Sequence, residues 1–370
     1  MKKSKLLFAT WIALCLSVSL SAQVLKNPAP GGNKRASVSE EIGITQVSVW
    51  YNRPGVKGRE GHIYGTNVVY KGYQDMSVLF GTAKDAPWRA GANENTIIEF
   101  STDVKVEGKS LPAGKYGLFV AYDPAECTVI FSKNTSSWGN FFYTESEDAL
   151  RVKVKPVALD KSVEWLKYEF LNQTPESAIV ALEWEKLEIP FLVEVDLVKT
   201  ELADFRNELR GDKAFTADGY LQAATFCLDH EVNYPEALTW AEAAVNTQKT
   251  FQTLNTKGLL LEKLGKTATA DSAMKEAIPL ATMLDLHQYA KHLLGLKRNA
   301  EALTVFKLNA KKHPNQFITY AGLTRGYSAN GDDKTALLNA KAALPLAPNE
   351  PNKAAVTEMI KKLESGKDVN

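Results

Sequence analysis

The sequence predicts two architectures in one chain, an antiparallel β-sandwich or barrel followed by a solenoid of α-α hairpins. Three observations carry that expectation. Up to about residue 191, apolar and polar residues alternate with period 2, and turn residues interrupt the alternation at short intervals. Near Val195 the period changes to 3.6. Beyond it, small residues recur about every 34 positions.

The first 22 residues read as a secretory signal peptide. Lys2, Lys3 and Lys5 make a basic start, Leu6 to Leu20 is apolar apart from small hydroxyl residues, and Ser21-Ala22 supplies small side chains before a cleavage point at Ala22-Gln23. Leu14 stands where a lipoprotein signal places a small residue before its cysteine, so lipidation at Cys15 is not expected. No later stretch approaches the ~18 apolar residues of a membrane helix. The chain is therefore expected to be exported, periplasmic or extracellular, with no membrane span after processing. Residues 23–35, rich in Pro, Gly, Asn and Lys, form a loose lead-in.

Residues 36–195 carry the strand signals. Gln46 to Tyr51, Leu150 to Lys155 and Ser177 to Glu185 alternate, the last with Ala178, Val180, Leu182 and Trp184 on one face. Lys115 to Tyr122 and Cys127 to Lys133 form a hairpin around Asp123-Pro124-Ala125-Glu126. Many short strands with frequent turns indicate sandwich or barrel, and the pattern does not choose between them. Trp165 and Trp184 are expected in the core.

Val198, Leu202, Phe205 and Leu209 share a helical face that ends at Gly211, which makes residues 196–215 a connecting helix. Over residues 216–350, Ala237, Ala270, Ala302 and Ala336 each fall early in the second helix of a hairpin. Breaks precede each one, and Pro314 and Pro348 close the last two units. A period near 34 with small residues where paired helices touch resembles the tetratricopeptide repeat, in divergent copies that keep few of its aromatic positions. Residues 351–370 form a C-terminal helix and tail.

Several phrases in the strand region are not generic. Lys34-Arg35-Ala36-Ser37-Val38, Asn52-Arg53-Pro54-Gly55-Val56-Lys57-Gly58-Arg59 and Pro87 to Thr96 come first, followed by Leu111 to Phe119 and Trp138-Gly139-Asn140-Phe141-Phe142-Tyr143. In this order they resemble the bacterial family known as domain of unknown function 2911. That family is common in Bacteroidota and often carries a signal peptide, with tetratricopeptide repeats behind it in some members. The resemblance implies an organisation but no residue roles, because the family has no established activity. One departure stands out: Glu60 to Ala86 is longer than the family's usual connection, and such an insertion would cover or reshape any site the phrases share.

Taken as chemistry, Arg53, Lys57, Arg59 and Arg89 are four cations in turn-rich segments close to Trp88, Asn93 and Glu94. Guanidinium groups grip carboxylates and phosphates with two prongs, and indoles offer flat faces to sugars. These seven residues are the candidate ligand site, set against a purely structural role for each. Glu94 is also the candidate catalytic carboxylate, although no second carboxylate stands at a recognisable spacing. Trp138, Phe141, Phe142 and Tyr143 read as core that caps the sheet, with a sugar or partner surface as the alternative.

Other chemistries lack a signature. The five histidines are scattered, and His287 and His292 would diverge by about 140° on a helix. There is no Cys-x-x-Cys, no His-Glu-x-x-His, no P-loop and no nucleophile elbow, so neither metal nor cofactor is expected. Cys127 and Cys227 sit among apolar residues as inert thiols. With 44 basic and 43 acidic residues, the formal charge of +1 argues against a nucleic-acid partner. The reading that results is an exported binding or scaffold protein. Its β module takes a small anionic or carbohydrate ligand or a partner surface, and its repeats contact another exported or envelope protein. A glycan hydrolase or lyase using Glu94 and a purely structural module are the rivals.

Overall fold

The computed structural model describes residues 32–370; the expected signal peptide and most of the lead-in lie outside them. The chain divides into two compact units between Glu201 and Leu202.

The described residues of the first unit form ten strands: β1 (Lys34–Ile42), β2 (Thr45–Arg53), β3 (Thr96–Phe100), β4 (Val104–Val106), β5 (Lys109–Leu111), β6 (Gly114–Ala121), β7 (Cys127–Ser132), β8 (Asp148–Val154), β9 (Val157–Leu171) and β10 (Ser177–Glu194). They form a six-stranded sheet in the order β1-β2-β3-β6-β7-β8 and a four-stranded sheet in the order β5-β4-β10-β9. Every strand pairing is antiparallel. The sheets stay separate, so the unit is a sandwich and not a closed barrel. Alternation explains why. Val47, Val49 and Tyr51 of β2 and Ile98 and Phe100 of β3 point inward from one sheet. Leu166, Tyr168 and Phe170 of β9 and Val180, Leu182 and Trp184 of β10 meet them from the other.

Trp165 departs from the expectation. It lies one residue out of phase with Leu166, Tyr168 and Phe170, so it turns to the outer face, half-buried. There the ammonium groups of Lys34 and Lys57 stand 5.9 and 5.8 Å from its ring centre.

Ten α-helices follow β10: α1 (Leu197–Glu208), α2 (Ala217–Asp229), α3 (Tyr234–Thr247), α4 (Phe251–Lys263), α5 (Thr267–Ala277), α6 (Met283–Gly295), α7 (Asn299–Lys312), α8 (Phe317–Ala329), α9 (Asp333–Ala343) and α10 (Glu350–Glu364). From α2 to α9 they pair as hairpins of the tetratricopeptide kind. Ala237, Ala270, Ala302 and Ala336 are each the fourth residue of a hairpin's second helix, and each is fully buried. A larger side chain at these positions has nowhere to go. The helix starts are set locally: Thr250 and Thr282 form capping boxes with Thr253 and Asp285.

Cys127 and Cys227 are free and buried. Burial pushes the Cys127 thiol up and the Cys227 thiol up to about 11, so both stay protonated at neutral pH. His287 is packed against Phe306, with ring centres 5.6 Å apart. Burial, helped by Lys291 and Arg325, lowers its pKa to about 4.

Two outcomes follow for the helical unit. Ala302→Leu should destabilise it by about 1–3 kcal/mol through overpacking, whereas Leu338→Ala on the exposed face of α9 should stay within about 0.5 kcal/mol. Urea titrations followed by helical circular dichroism decide this. The second outcome concerns pH. An unfolded His287 takes its proton near 6.5 and the folded one only near 4, so the unfolded chain holds more protons in between. Stability should therefore fall as pH drops from about 6.5 toward 4, by at most about 3 kcal/mol from this residue. His287→Gln should flatten that part of the profile, and an unchanged slope would remove His287 as its cause.

Candidate functional site

Strand β2 ends at Arg53, and the chain then crosses to the other sheet. Gly55 bridges Trp165 of β9. The Val56 N–H donates to the Glu164 carbonyl at 2.8 Å, and the Leu166 N–H donates to the Pro54 carbonyl at 3.1 Å. Arg53 staples the crossing: its Nε donates to the Leu166 carbonyl at 2.8 Å and its Nη2 to the Trp165 carbonyl at 3.3 Å. Arg59 curls back on the turn it follows, donating to the carbonyls of Val56 at 3.0 Å and Gly55 at 2.7 Å. Its guanidinium lies 6.0 Å from the ring centre of Trp184.

The Trp-Arg phrase sits beside this turn. Trp88 exchanges backbone hydrogen bonds with Val120 of β6 and stacks on Trp184, with both indoles buried. Arg89 is then held by neutral groups alone. Its Nη1 donates to the Asn93 carbonyl and its Nη2 to Asn140 Oδ1, both at 2.8 Å, and its plane lies 5.0 Å from the centre of Phe141. Asn140 in turn donates to the Pro87 carbonyl at 2.8 Å and to the Tyr70 hydroxyl. Asn33 extends the chain by donating to Asn93 Oδ1 at 3.2 Å. Gly139 makes this arrangement possible: its φ is +59°, and a Cβ there would stand 2.3 Å from Arg89 Nη1.

Burial lowers the pKa of Arg89, an effect that Tyr70 opposes, but a guanidinium remains charged at neutral pH. Burial likewise pushes Tyr70 up to about 12, against the pull of Arg89 and the Asn140 hydrogen bond, so it stays a neutral phenol. Among the described residues, no carboxylate lies within ion-pair distance of Arg89.

A cleft of about 520 Å³ opens here. Of the seven sequence candidates, Lys57, Arg59, Trp88, Arg89 and Asn93 line it, while Arg53 and Glu94 do not. The other wall comes from the 60–86 insertion, through Asn67, Val68, Tyr70, Gln74, Met76 and Leu79. No Asp or Glu is among the described residues that line the cleft. Glu94 is engaged elsewhere, by the Arg35 guanidinium and by Asn52 Nδ2 at 2.8 Å. Burial pushes its carboxyl up, but its backbone hydrogen bond, Arg35 and Asn52 outweigh that and hold it below the usual carboxylate range.

Sequence reasoning missed Tyr70 and Asn140 as members of the site. Asn140 was visible inside the Trp-Gly-Asn phrase; Tyr70 had no local signal. The aromatic phrase does not form a uniform cap. Tyr143 is buried and Phe141 half-buried, but Trp138 and Phe142 are exposed, because the segment is a chain of turns without strand pairing.

In the helical unit, a groove of two adjoining hollows, about 440 and 670 Å³, runs along α2, α4 and α6, the first helices of their hairpins. Thr225, Asn255, Thr256, Leu259 and His292 line both hollows. His292 Nε2 lies 2.7 Å from Glu262 Oε2, while His287 packs against Phe306, so the two histidines do not converge. Among the described residues there is no cluster fit to hold a metal ion, and no helix is long and apolar enough to cross a membrane.

The first unit is thus a β-sandwich with a cationic cleft built from loops. Its residues 33–193 match the family described as a protein of unknown function (DUF2911). The helical unit is similar to solved repeat proteins. One is MamA 41-end from Desulfovibrio magneticus RS-1, at 20% identity and TM-score 0.30, covering 42% of this chain and 95% of that one. Another is YrrB, described as a TPR protein with an unusual peptide-binding site, at 20% identity and TM-score 0.32, with coverage of 43% and 83%. A third is the C-terminal part of a TPR repeat-containing protein from Cytophaga hutchinsonii, at 16% identity and TM-score 0.36, with coverage of 44% and 65%. No curated protein matches the chain.

The Arg89 contacts can be tested through glycine. Gly139→Ala and Gly61→Ala both place a side chain at positive φ, a cost of about 1–2 kcal/mol, but Gly61 has open space around it. Gly139→Ala should lower the melting temperature of the β unit clearly more than Gly61→Ala. Equal effects would mean that the Arg89 packing is not what constrains position 139.

Proposed function

We propose that the β module binds a small anionic ligand, a carboxylate or phosphate carried on a polar or ring-bearing body. The observation that carries this reading is Arg89: a largely buried guanidinium held only by neutral acceptors, in a cleft that adds Lys57 and Arg59 and, among its described lining, no carboxylate. A charge removed from water and left without a counterion is costly to the free protein. An anion from solution relieves that cost, and guanidinium geometry favours planar or tetrahedral oxyanions. Tyr70, whose hydroxyl accepts from Asn140 and keeps its own proton to donate, adds a donor that suits an oxygen on the ligand.

The hydrolase reading draws no support from this arrangement. Glu94 is outside the cleft, ionised and engaged by Arg35, and a glycosidase pair needs a second carboxylate within about 10 Å across the substrate. Arg53 fits the structural role, since both its contacts tie the two sheets together. For the whole chain we infer an exported binding or scaffold protein in which residues 36–195 recognise the ligand and residues 216–350 contact a protein partner. The basic-apolar-small pattern of residues 1–22 supports export. The groove along α2, α4 and α6 supports the partner role, as stacked hairpins present such surfaces to extended peptides.

The test is a thermal-shift and calorimetry screen of the full chain against dicarboxylates, sugar acids, sugar phosphates and their neutral analogues. Anionic members should raise the melting temperature while neutral analogues do not. Arg89→Lys, which keeps the charge but loses the fork, should weaken binding by about 1.5–3 kcal/mol, tenfold or more. Tyr70→Phe, a smaller change to the same wall, should weaken it less. A flat response across the panel, with both variants folded, would sink the proposal.

A further inference from the structure

The 60–86 insertion does more than wall the cleft. Its tip, Val78-Leu79-Phe80, places three consecutive apolar side chains in solvent, 76%, 63% and 66% exposed. The tip is held from below. Gln74 and Ala86 exchange backbone hydrogen bonds at 2.9 Å, and the Met76 N–H donates to the Ala83 carbonyl at 2.8 Å. The N–H groups of Thr82 and Ala83 both donate to the Phe141 carbonyl, at 2.9 and 3.0 Å. Met76, Ala83 and Ala86 are buried with Phe119, Ile130 and Tyr143. Gly81 allows the close approach, since a Cβ there would stand 2.3 Å from the Phe141 carbonyl oxygen. The loop is fixed at its base by other residues, and of the tip Phe80 alone packs a ring, on Phe141, while still 66% exposed. Collapse of the loop does not explain the apolar tip.

The same tip belongs to the cationic cleft. Leu79 lines the cleft, and Phe80 stacks on Phe141 at 4.3 Å, whose ring in turn faces Arg89. Trp138 and Phe142, 45% and 40% exposed, come from the segment that packs Gly139 against Arg89. An occupant of this whole surface must offer an apolar body and an oxyanion side by side. A second copy of the chain does not, because a twofold contact would set one cationic cleft against another. A layer of anionic amphiphiles does.

Building on the anion-binding reading of the cleft, we propose that the β module docks on an anionic phospholipid surface. Val78, Leu79 and Phe80 enter the apolar layer, and Arg89, with Arg59 and Lys57, receives a headgroup phosphate.

The experiment is flotation of the full chain with vesicles of phosphatidylcholine alone and of phosphatidylcholine containing phosphatidylglycerol. Soluble glycerol 3-phosphate is tested in parallel by thermal shift. The chain should float with the anionic vesicles and not with the neutral ones. Val78→Ser, Leu79→Ser and Phe80→Ser combined should cut partitioning at least tenfold and keep the parent's circular dichroism, while Val78→Ser alone, which lies outside the cleft lining, should weaken flotation and retain the glycerol 3-phosphate shift. Absence of flotation with anionic vesicles, or flotation that ignores the triple substitution, overturns the docking. A glycerol 3-phosphate shift without flotation overturns it while leaving the anion site standing; loss of both removes both. Concentration-dependent sedimentation that the triple substitution abolishes, without vesicle binding, assigns the tip to self-association and also overturns the proposal.

Discussion

The guanidinium of Arg89 organises the β unit's cleft, because the elements around it are positioned by touching it. It closes on the carbonyl of Asn93, four residues downstream, and so fixes the loop that turns through positive φ at Ala90 and Asn93. Through Asn140 it reaches Tyr70 in the insertion, and through Gly139 and Phe141 it orders the aromatic segment. Three stretches far apart in sequence therefore meet at one planar cation, and among the described residues no carboxylate lies within ion-pair distance of it. Buried polar networks of this sort are sensitive to the loss of any member, since each remaining group is then left unsatisfied.

Much of the fold was readable because it follows from periodicity. Alternation along Ser177 to Glu185 placed Ala178, Val180, Leu182 and Trp184 on one inward face, where they are all buried. The four alanines near a 34-residue spacing marked the places where paired helices touch, and a spacing of that kind survives the loss of the repeat's aromatic positions. Trp165 shows a misuse of the same rule. Its size invited a core assignment, but Leu166, Tyr168 and Phe170 occupy the opposite parity, and on this part of β9 only that parity is buried. Parity decides over bulk on a strand with one face open to water.

The site was readable only in part, for a different reason. Phrases dense in Arg, Trp, Asn and Gly mark loops held in special backbone shapes, and five of the seven residues chosen from them do share the cleft. Composition cannot say whether a cation in such a loop faces outward or back into the chain. Arg53 turns to the carbonyls of β9 because the chain crosses between sheets just after it, a fact of topology. Glu94 meets Arg35 and Asn52 across neighbouring strands, which no spacing along the sequence reveals. Tyr70 reaches Asn140 across seventy residues, in an insertion that only the folded chain brings to the wall.

The case for an anion in the cleft gains most from comparison within the molecule. Arg151 is matched by Asp148 at 2.6 Å and Glu145 at 2.9 Å, Arg206 by Glu236 at 2.8 Å, and Arg298 by Asp271 at 2.7 Å and Glu301 at 2.5 Å. Those arginines are neutralised where they stand and serve packing. Arg89 sits deeper than any of the three, yet is bounded by an amide oxygen, a peptide carbonyl and a phenyl ring. These groups fix its direction without cancelling its charge. Arg53 and Arg59 show that backbone carbonyls also hold arginines here, but Arg89 is the most buried of the four compared, and among the described residues no carboxylate stands within ion-pair distance of it, which is the feature the proposed anion would answer. The wall beside Arg89 is an insertion with an exposed apolar tip, and it is this adjacency of charge and apolar surface on which the proposed docking to an anionic layer rests.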